Sequence, residues 1–186
     1  MRLESERQIC HIILGLFFIL LHLLIGRELL SVLLFLVLII GIIIINFKLT
    51  TKLKIPYIDR LLFRLERPYV TPGLGSFWFV AGIFITALMF IDFAKFMAVV
   101  LILSFGDGLA TLIGQRFGKH FLPWNKNKTF EGMFGFFIGS LTAFFVYPSI
   151  ITFFIIIISA FGETYSKYID DNILVPFIAG TLYFIF

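Results

Sequence analysis

The sequence predicts an all-α integral membrane protein, a polytopic bundle of about seven transmembrane helices with an interfacial amphipathic helix on its cytoplasmic side. Three observations predict this class. Of the 186 residues, 60% are hydrophobic and 14% charged, with a mean hydropathy of +1.06, a balance foreign to water-soluble globular domains. The apolar stretches reach roughly 15 to 20 residues, the length a helix needs to cross about 30 Å of hydrocarbon, and they lack the alternation of a membrane barrel strand. The cations also gather on one side of the stretches they separate. Ile and the 26 Phe favour strands in water. In lipid that preference yields, because only a helix satisfies each backbone N–H and C=O within its own segment.

The expected spans are 11–25, 29–47, 73–91, 94–113, 130–147, 149–162 and 173–186. The first resembles the apolar core of a secretory signal. It is followed at once by Gly26, Arg27 and Glu28 and a second long span, without a small-residue cleavage site, so it reads as one arm of a helical hairpin. The sixth span is short and is the one that a re-entrant segment would replace. Short connections around Arg27, Asp92 and Pro148 share one side. The N-terminus and segments 48–72, 114–129 and 163–172 share the other, together with all the cations except Arg27 and Lys95. By the positive-inside rule that side is cytoplasmic, with the C-terminus outside, in a cell membrane or endomembrane. Within 48–72, Ile58, Leu61, Leu62 and Leu65 alternate with Arg60, Arg64 and Arg67 at helical spacing, which predicts the amphipathic helix. The whole chain, 1–186, reads as a single membrane-embedded catalytic domain. Its only cysteine, Cys10, excludes an intramolecular disulfide.

Chemistry concentrates on the cytoplasmic side. Asp107 lies in FGDGLATLIG, a carboxylate at membrane depth, where an ionisable group is costly unless it meets a cavity, a partner or a ligand. Gly106, Gly108, Gly114 and Gly118 surround it and lead to Lys119, Lys126, Lys128, Thr129 and Glu131. Glycines allow close backbone approach and lysines supply point charges, the means of holding a polyphosphate. Helix packing explains Gly114 and Gly118 equally well. No Walker A pattern occurs. Lys128 and Glu131 stand three apart at the start of the fifth span, which predicts one shared helical face near Asp107. Glu163, Asp170, Asp171 and Asn172 flank the last span, and such an oxygen-rich group suits Mg²⁺ or another divalent cation together with substrate phosphates. The three histidines, His11, His22 and His120, are dispersed and do not suggest zinc. No nucleic-acid partner is expected.

Five segments, RQICHIILG, RPYVTPGLGSFWFVAG, FGDGLATLIGQRFGKH, NKTFEG and DDNILVPFIAG, in this order, resemble the successive motifs of the CTP-dependent lipid-alcohol kinases, which include dolichol, polyprenol and phytol kinases and CTP-using diacylglycerol kinases. The resemblance implies transfer of the γ-phosphate of CTP to a membrane alcohol, most simply a polyprenol or dolichol-type isoprenoid, with a divalent metal. It points to Arg7, His11, Asp107, Gly114, Lys119, Lys128, Glu131, Glu163, Asp170, Asp171 and Asn172. In the reading it supports, Asp107, Lys128, Glu131 and Asp171 are catalytic. Asp107, Asp170 and Asp171 hold metal, while Gly114, Lys119, Lys128, Thr129 and Asn172 bind the nucleotide. Arg7, His11, Arg67 and Glu163 orient substrate. Two departures stand out: Gln8 replaces a second basic residue, and Thr129 replaces Ser. A cytidylyltransferase that forms a CDP-lipid, or a noncatalytic transporter with Asp107 on an ion path, are the other readings of the same residues.

Overall fold

The computed structural model describes residues 2–51, 71, 73–165 and 169–186, the side chains of residues 2–4 excepted. The expected amphipathic helix, with Arg60, Arg64 and Arg67, lies outside the described residues. Regular structure in the described residues is helical: α1 (Arg2–Thr51), α2 (Leu74–Met89), α3 (Phe93–Leu101), α4 (Asp107–Phe117), α5 (Phe130–Ser140), α6 (Ile150–Thr164) and α7 (Asp171–Ile185). A π turn, Ile102–Gly106, joins α3 to α4, and a 3₁₀ turn, Leu141–Phe145, extends α5.

Helix α1 is a hairpin of two arms. Gly26 breaks it with φ 77° and ψ 169°, a conformation open to glycine and strained for a residue with Cβ. Contacts then fix the direction of each arm. Along the first, Ile12 meets Gly108, Gly15 meets Ser104, and His22 stacks on Phe93 and Phe96, so this arm runs antiparallel to α3–α4. Along the second, Arg27 meets the end of α2, Gly41 meets Phe77 and Ile45 meets Gly73, an antiparallel pairing with α2.

The reversals near Gly26, Asp92 and Pro148 therefore lie at one end of the bundle. Two cations sit there, and both cap helices. Arg27 donates to the carbonyls of Ala87 and Leu88 at 2.9 and 3.0 Å, and Lys95 to that of Tyr183 at 2.6 Å. Each neutralises a helix C-terminus, which explains why these two stay apart from the remaining cations.

Ser5–Thr51 and Phe93–Phe117 are long and apolar enough to cross a membrane. The other four, Leu74–Met89, Phe130–Phe145, Ile150–Thr164 and Asp171–Ile185, are shorter apolar helices. Ile13, Phe17, Leu20, Leu24, Ile40 and Ile43 face outward from α1. Such a continuous apolar surface is stable against lipid chains and not against water, so the chain is a membrane protein. One core, including Ile83, Phe96, Ile102, Phe136, Ile156 and Val175, joins all the helices.

Glycine sets the closest approaches. Pro176 in α7 has no N–H for the Asn172 carbonyl, and that carbonyl lies against Gly82 of α2 where a Cβ would overlap it. Gly82→Ala is expected to cost about 1–3 kcal/mol, because backbone is the obstacle and helices must separate. At Gly41 a Cβ meets only Phe77, at 3.5 Å, so Gly41→Ala should be neutral or stabilising. Thermal unfolding of the two variants in detergent checks the pair, and equal midpoints would refute the packing argument.

Candidate active site at one end of the bundle

Asp107 is placed by the π turn. The extra residue in this turn rotates everything after it about the helix axis, so Asp107 leaves the face that α3 presents. Space for the turn comes from α5. A Cβ at Gly139 would overlap the Phe105 carbonyl, and one at Gly106 would press on Ser140 and Phe136. Asp107 ends up 6% exposed, with Asp171, His11, Lys128 and Arg7 as its electrostatic neighbours.

The loop between α4 and α5 delivers Lys128. It closes on itself through Phe130 N–H to the His120 carbonyl (2.9 Å), Leu122 N–H to the Lys128 carbonyl (3.0 Å) and Lys128 N–H to the Asn125 carbonyl (3.0 Å). Two side chains then pin it to the end of α6. Trp124 donates to Thr164 Oγ1 at 3.0 Å, and Asn125 donates to the Thr164 carbonyl at 2.9 Å. Lys128 consequently reaches Glu163, next to Thr164, in a short ion pair, and Asp171 Oδ2 at 3.1 Å.

The start of α7 completes the cluster. Asp170 caps the helix, its Oδ1 accepting from the backbone N–H and the side-chain amide of Asn172 at 3.0 and 2.8 Å. Asn172 Oδ1 is 2.7 Å from His11 Nε2, and the His11 ring packs on Phe79 with centroids 4.0 Å apart. Together with Arg7, Gly75, Ser76 and Asp107, these groups line the head of a cavity of about 890 Å³, its open mouth included.

The structure thus brings together Arg7, His11, Asp107, Lys128, Glu163, Asp170, Asp171 and Asn172, drawn from α1, α4, the loop, α6 and α7. Others expected at the site lie elsewhere. Lys128 and Glu131 do not share a helical face, because Thr129 between them is the N-cap of α5, its Oγ1 accepting from Gly132 N–H at 3.1 Å, and Lys128 is still in the loop. Glu131 turns to His120, with Oε1 2.6 Å from Nδ1, and so neither contacts nor orients Lys128. Lys119 is exposed beside that pair. Gly114 packs on Gly132 and Thr129, the helix-crossing role. Arg67 lies outside the described residues. Sequence reasoning passed over Trp124 and Asn125, whose only signal is a Trp and a cluster of Asn in a short loop between apolar helices.

Among the described residues, Asp107, Glu163 and Asp171 each offer a carboxylate oxygen, all within 4.8 Å of one another. Three acids around one lysine leave a surplus of negative charge. Hard oxygen donors in that number fit a divalent cation that shares its sphere with water or phosphate. Asp170 differs from its neighbour, since its Oδ1 is committed to Asn172. Burial and then the Asp171 charge push its carboxyl up to about 6, despite the bonds from Asn172. Burial would lower the pKa of Lys128, but Asp171, Glu163 and Asp107 outweigh it and hold the ammonium above the ordinary lysine range.

Among known proteins, the chain is 33% identical over 179 residues to an uncharacterized protein of Methanocaldococcus jannaschii, a match covering 95% of this chain and 91% of that protein. It is 36% identical over 108 residues to the chloroplastic farnesol kinase of Arabidopsis thaliana, covering 47% of this chain and 35% of the kinase. Identity to the dolichol kinase of Schizosaccharomyces pombe is 40% over 93 residues, 45% of this chain and 18% of that enzyme. The matched part is therefore a minor share of each of these two kinases. No protein-family model matches the chain, and no solved structure does.

Proposed function

Because this chain belongs to the lipid-alcohol kinase family, we propose that it transfers the γ-phosphate of CTP to the hydroxyl of an isoprenoid-type alcohol held in the membrane. The observation that carries this reading is the convergence of three carboxylates and Lys128, two of these acids, Asp107 and Asp171, lining the polar head of a cavity whose other walls are apolar. In it, seven helical arms cross the bilayer and the site-bearing end faces the cytoplasm, where nucleotides occur.

Glu163 and Asp171 would hold a divalent cation such as Mg²⁺, with Asp107 beside them. When bound, the cation neutralises and positions the transferring phosphates. Lys128, kept protonated by its acidic neighbours, donates to a phosphate oxygen as negative charge shifts during transfer. His11 and Asn172 orient the alcohol. Asp107, which faces both the cavity and Lys128, accepts the hydroxyl proton as the alcohol oxygen bonds to the γ-phosphorus and the bond to the bridging oxygen breaks, releasing CDP. The exposed rings of Trp124 and Tyr165, parallel at 5.8 Å, offer a nucleobase a stacking face beside Lys128.

The test uses purified protein, Mg²⁺, an isoprenoid alcohol and CTP labelled at the α- or γ-phosphate. Label from the γ position in lipid, with CDP formed, is the expected result. Label from the α position, with a phosphorylated lipid as acceptor, would make the protein a cytidylyltransferase instead. No incorporation with any alcohol, and cation flux in vesicles, would return it to the transporters.

A further inference from the structure

The cavity does not end at the polar head. From Arg7, Cys10 and His11 its lining continues along one face of the first arm of α1 to Leu14 and Phe18, and along α2 from Gly75 and Ser76 to Phe79 and Val80. The spacing on both helices is that of a single face, so the lining is a groove between two parallel rods. One end is polar and the other apolar. We infer that this groove between the first arm of α1 and α2 seats the hydroxyl-proximal part of the acceptor's hydrocarbon chain, and that the rest of the chain leaves it sideways into the bilayer.

Two observations fix the occupant as a membrane-dissolved chain. The apolar wall opens directly from the residues that would hold the hydroxyl, so an amphiphile with its polar end at His11 and Asn172 must lay its chain against Leu14, Phe18 and Phe79. The groove is also open at the side, where Leu14 stays 41% exposed on the outer, lipid-facing surface of α1. A soluble ligand has no reason to use that route. The wall from Arg7 to Phe18 spans 11 residue-to-residue steps, about 16 Å at 1.5 Å per step, so only the first part of a long chain touches it. Bringing a chain from lipid into this groove gains no hydrophobic energy, since lipid tails are as apolar as the wall. The groove therefore acts by alignment and shape, selecting for the chain near the hydroxyl and ignoring its total length.

This inference rests on the kinase reading, and its test separates the two. The native thiol of Cys10 lies in the groove lining and is partly accessible, so the protein carries its own reporter. Without nucleotide or metal, an isoprenoid alcohol at about ten times its dissociation constant should slow alkylation of Cys10 by a lipophilic maleimide about tenfold. In the transfer assay, Leu14→Trp should raise KM for the alcohol about 10- to 200-fold and leave KM for CTP unchanged. Leu16→Trp, on a neighbouring lipid-facing position outside the lining, should alter neither. Across a series of alcohols, KM should stop changing once the chain outgrows the groove. Protection of Cys10 without phosphoryl transfer would keep the groove and remove the kinase. Transfer without protection, with Leu14→Trp at the native KM, would overturn the groove and keep the kinase.

Discussion

Lys128→Met is expected to lose both phosphoryl transfer and a large part of the protein's stability. Lys128 contacts Glu163 and Asp171 in a place where Glu163 is almost wholly buried. Removing one member of such a pair leaves carboxylates without their compensating charge, which costs about 3–5 kcal/mol. The acids are then driven to take up protons or to draw in water. Transfer should fall at least about 10²- to 10³-fold, the usual loss when a group that stabilises charge in the transition state is removed. The two effects are separable by a second change. Lys128→Met combined with Glu163→Gln neutralises the buried acid and should recover much of the unfolding midpoint while leaving transfer abolished. Thermal unfolding in detergent and γ-phosphate incorporation read the two quantities. A Lys128→Met protein that unfolds and turns over like the native one would remove this residue from the site.

Much of this arrangement was legible from the order of residues, for a physical reason. Lipid forces backbone into helices, so the apolar stretches bounded by Gly26, Asp92 and Pro148 translate directly into helical arms, and α2 to α7 begin and end within a few residues of the expected limits. The division of polar residues between the two ends was equally readable, because chain reversals alternate. Partners were not. Lys128 meets acids 35 and 43 residues away, and nothing local announces them. The nearby Glu131 looked like its partner at helical spacing, but the N-cap at Thr129 separates a loop residue from a helical one and sends the two side chains apart. Asp170 and Asp171 are indistinguishable in sequence. One oxygen of the first is consumed by Asn172, and the second faces Lys128. The π turn that aims Asp107 also left no mark beyond its glycine, since its cause is the close passage of Gly139 in another helix.

Asp107→Asn is expected to separate activity from stability in the opposite sense to Lys128→Met. The native carboxylate is buried within 4.8 Å of two others, an arrangement that folding must hold together against repulsion and lost hydration. The amide is nearly the same size and uncharged, so the variant should unfold no earlier than the native protein. Turnover should nevertheless drop about 10²- to 10⁴-fold, the range for loss of a positioned proton acceptor. Such a residue is kept for its chemistry at the expense of stability. The cation supplies a second readout. If the three carboxylates bind Mg²⁺, saturating ion at about 100 times its dissociation constant stabilises the native protein by about 2.7 kcal/mol, and the variant, with one acid fewer, should show a smaller shift. A native protein that gains nothing from Mg²⁺, Mn²⁺ or Ca²⁺, alone or with CDP, would mean that these acids serve Lys128 and not a metal. An Asp107→Asn variant with native turnover would move proton acceptance to Asp170, Asp171 or His11, the remaining basic groups that face the cavity head.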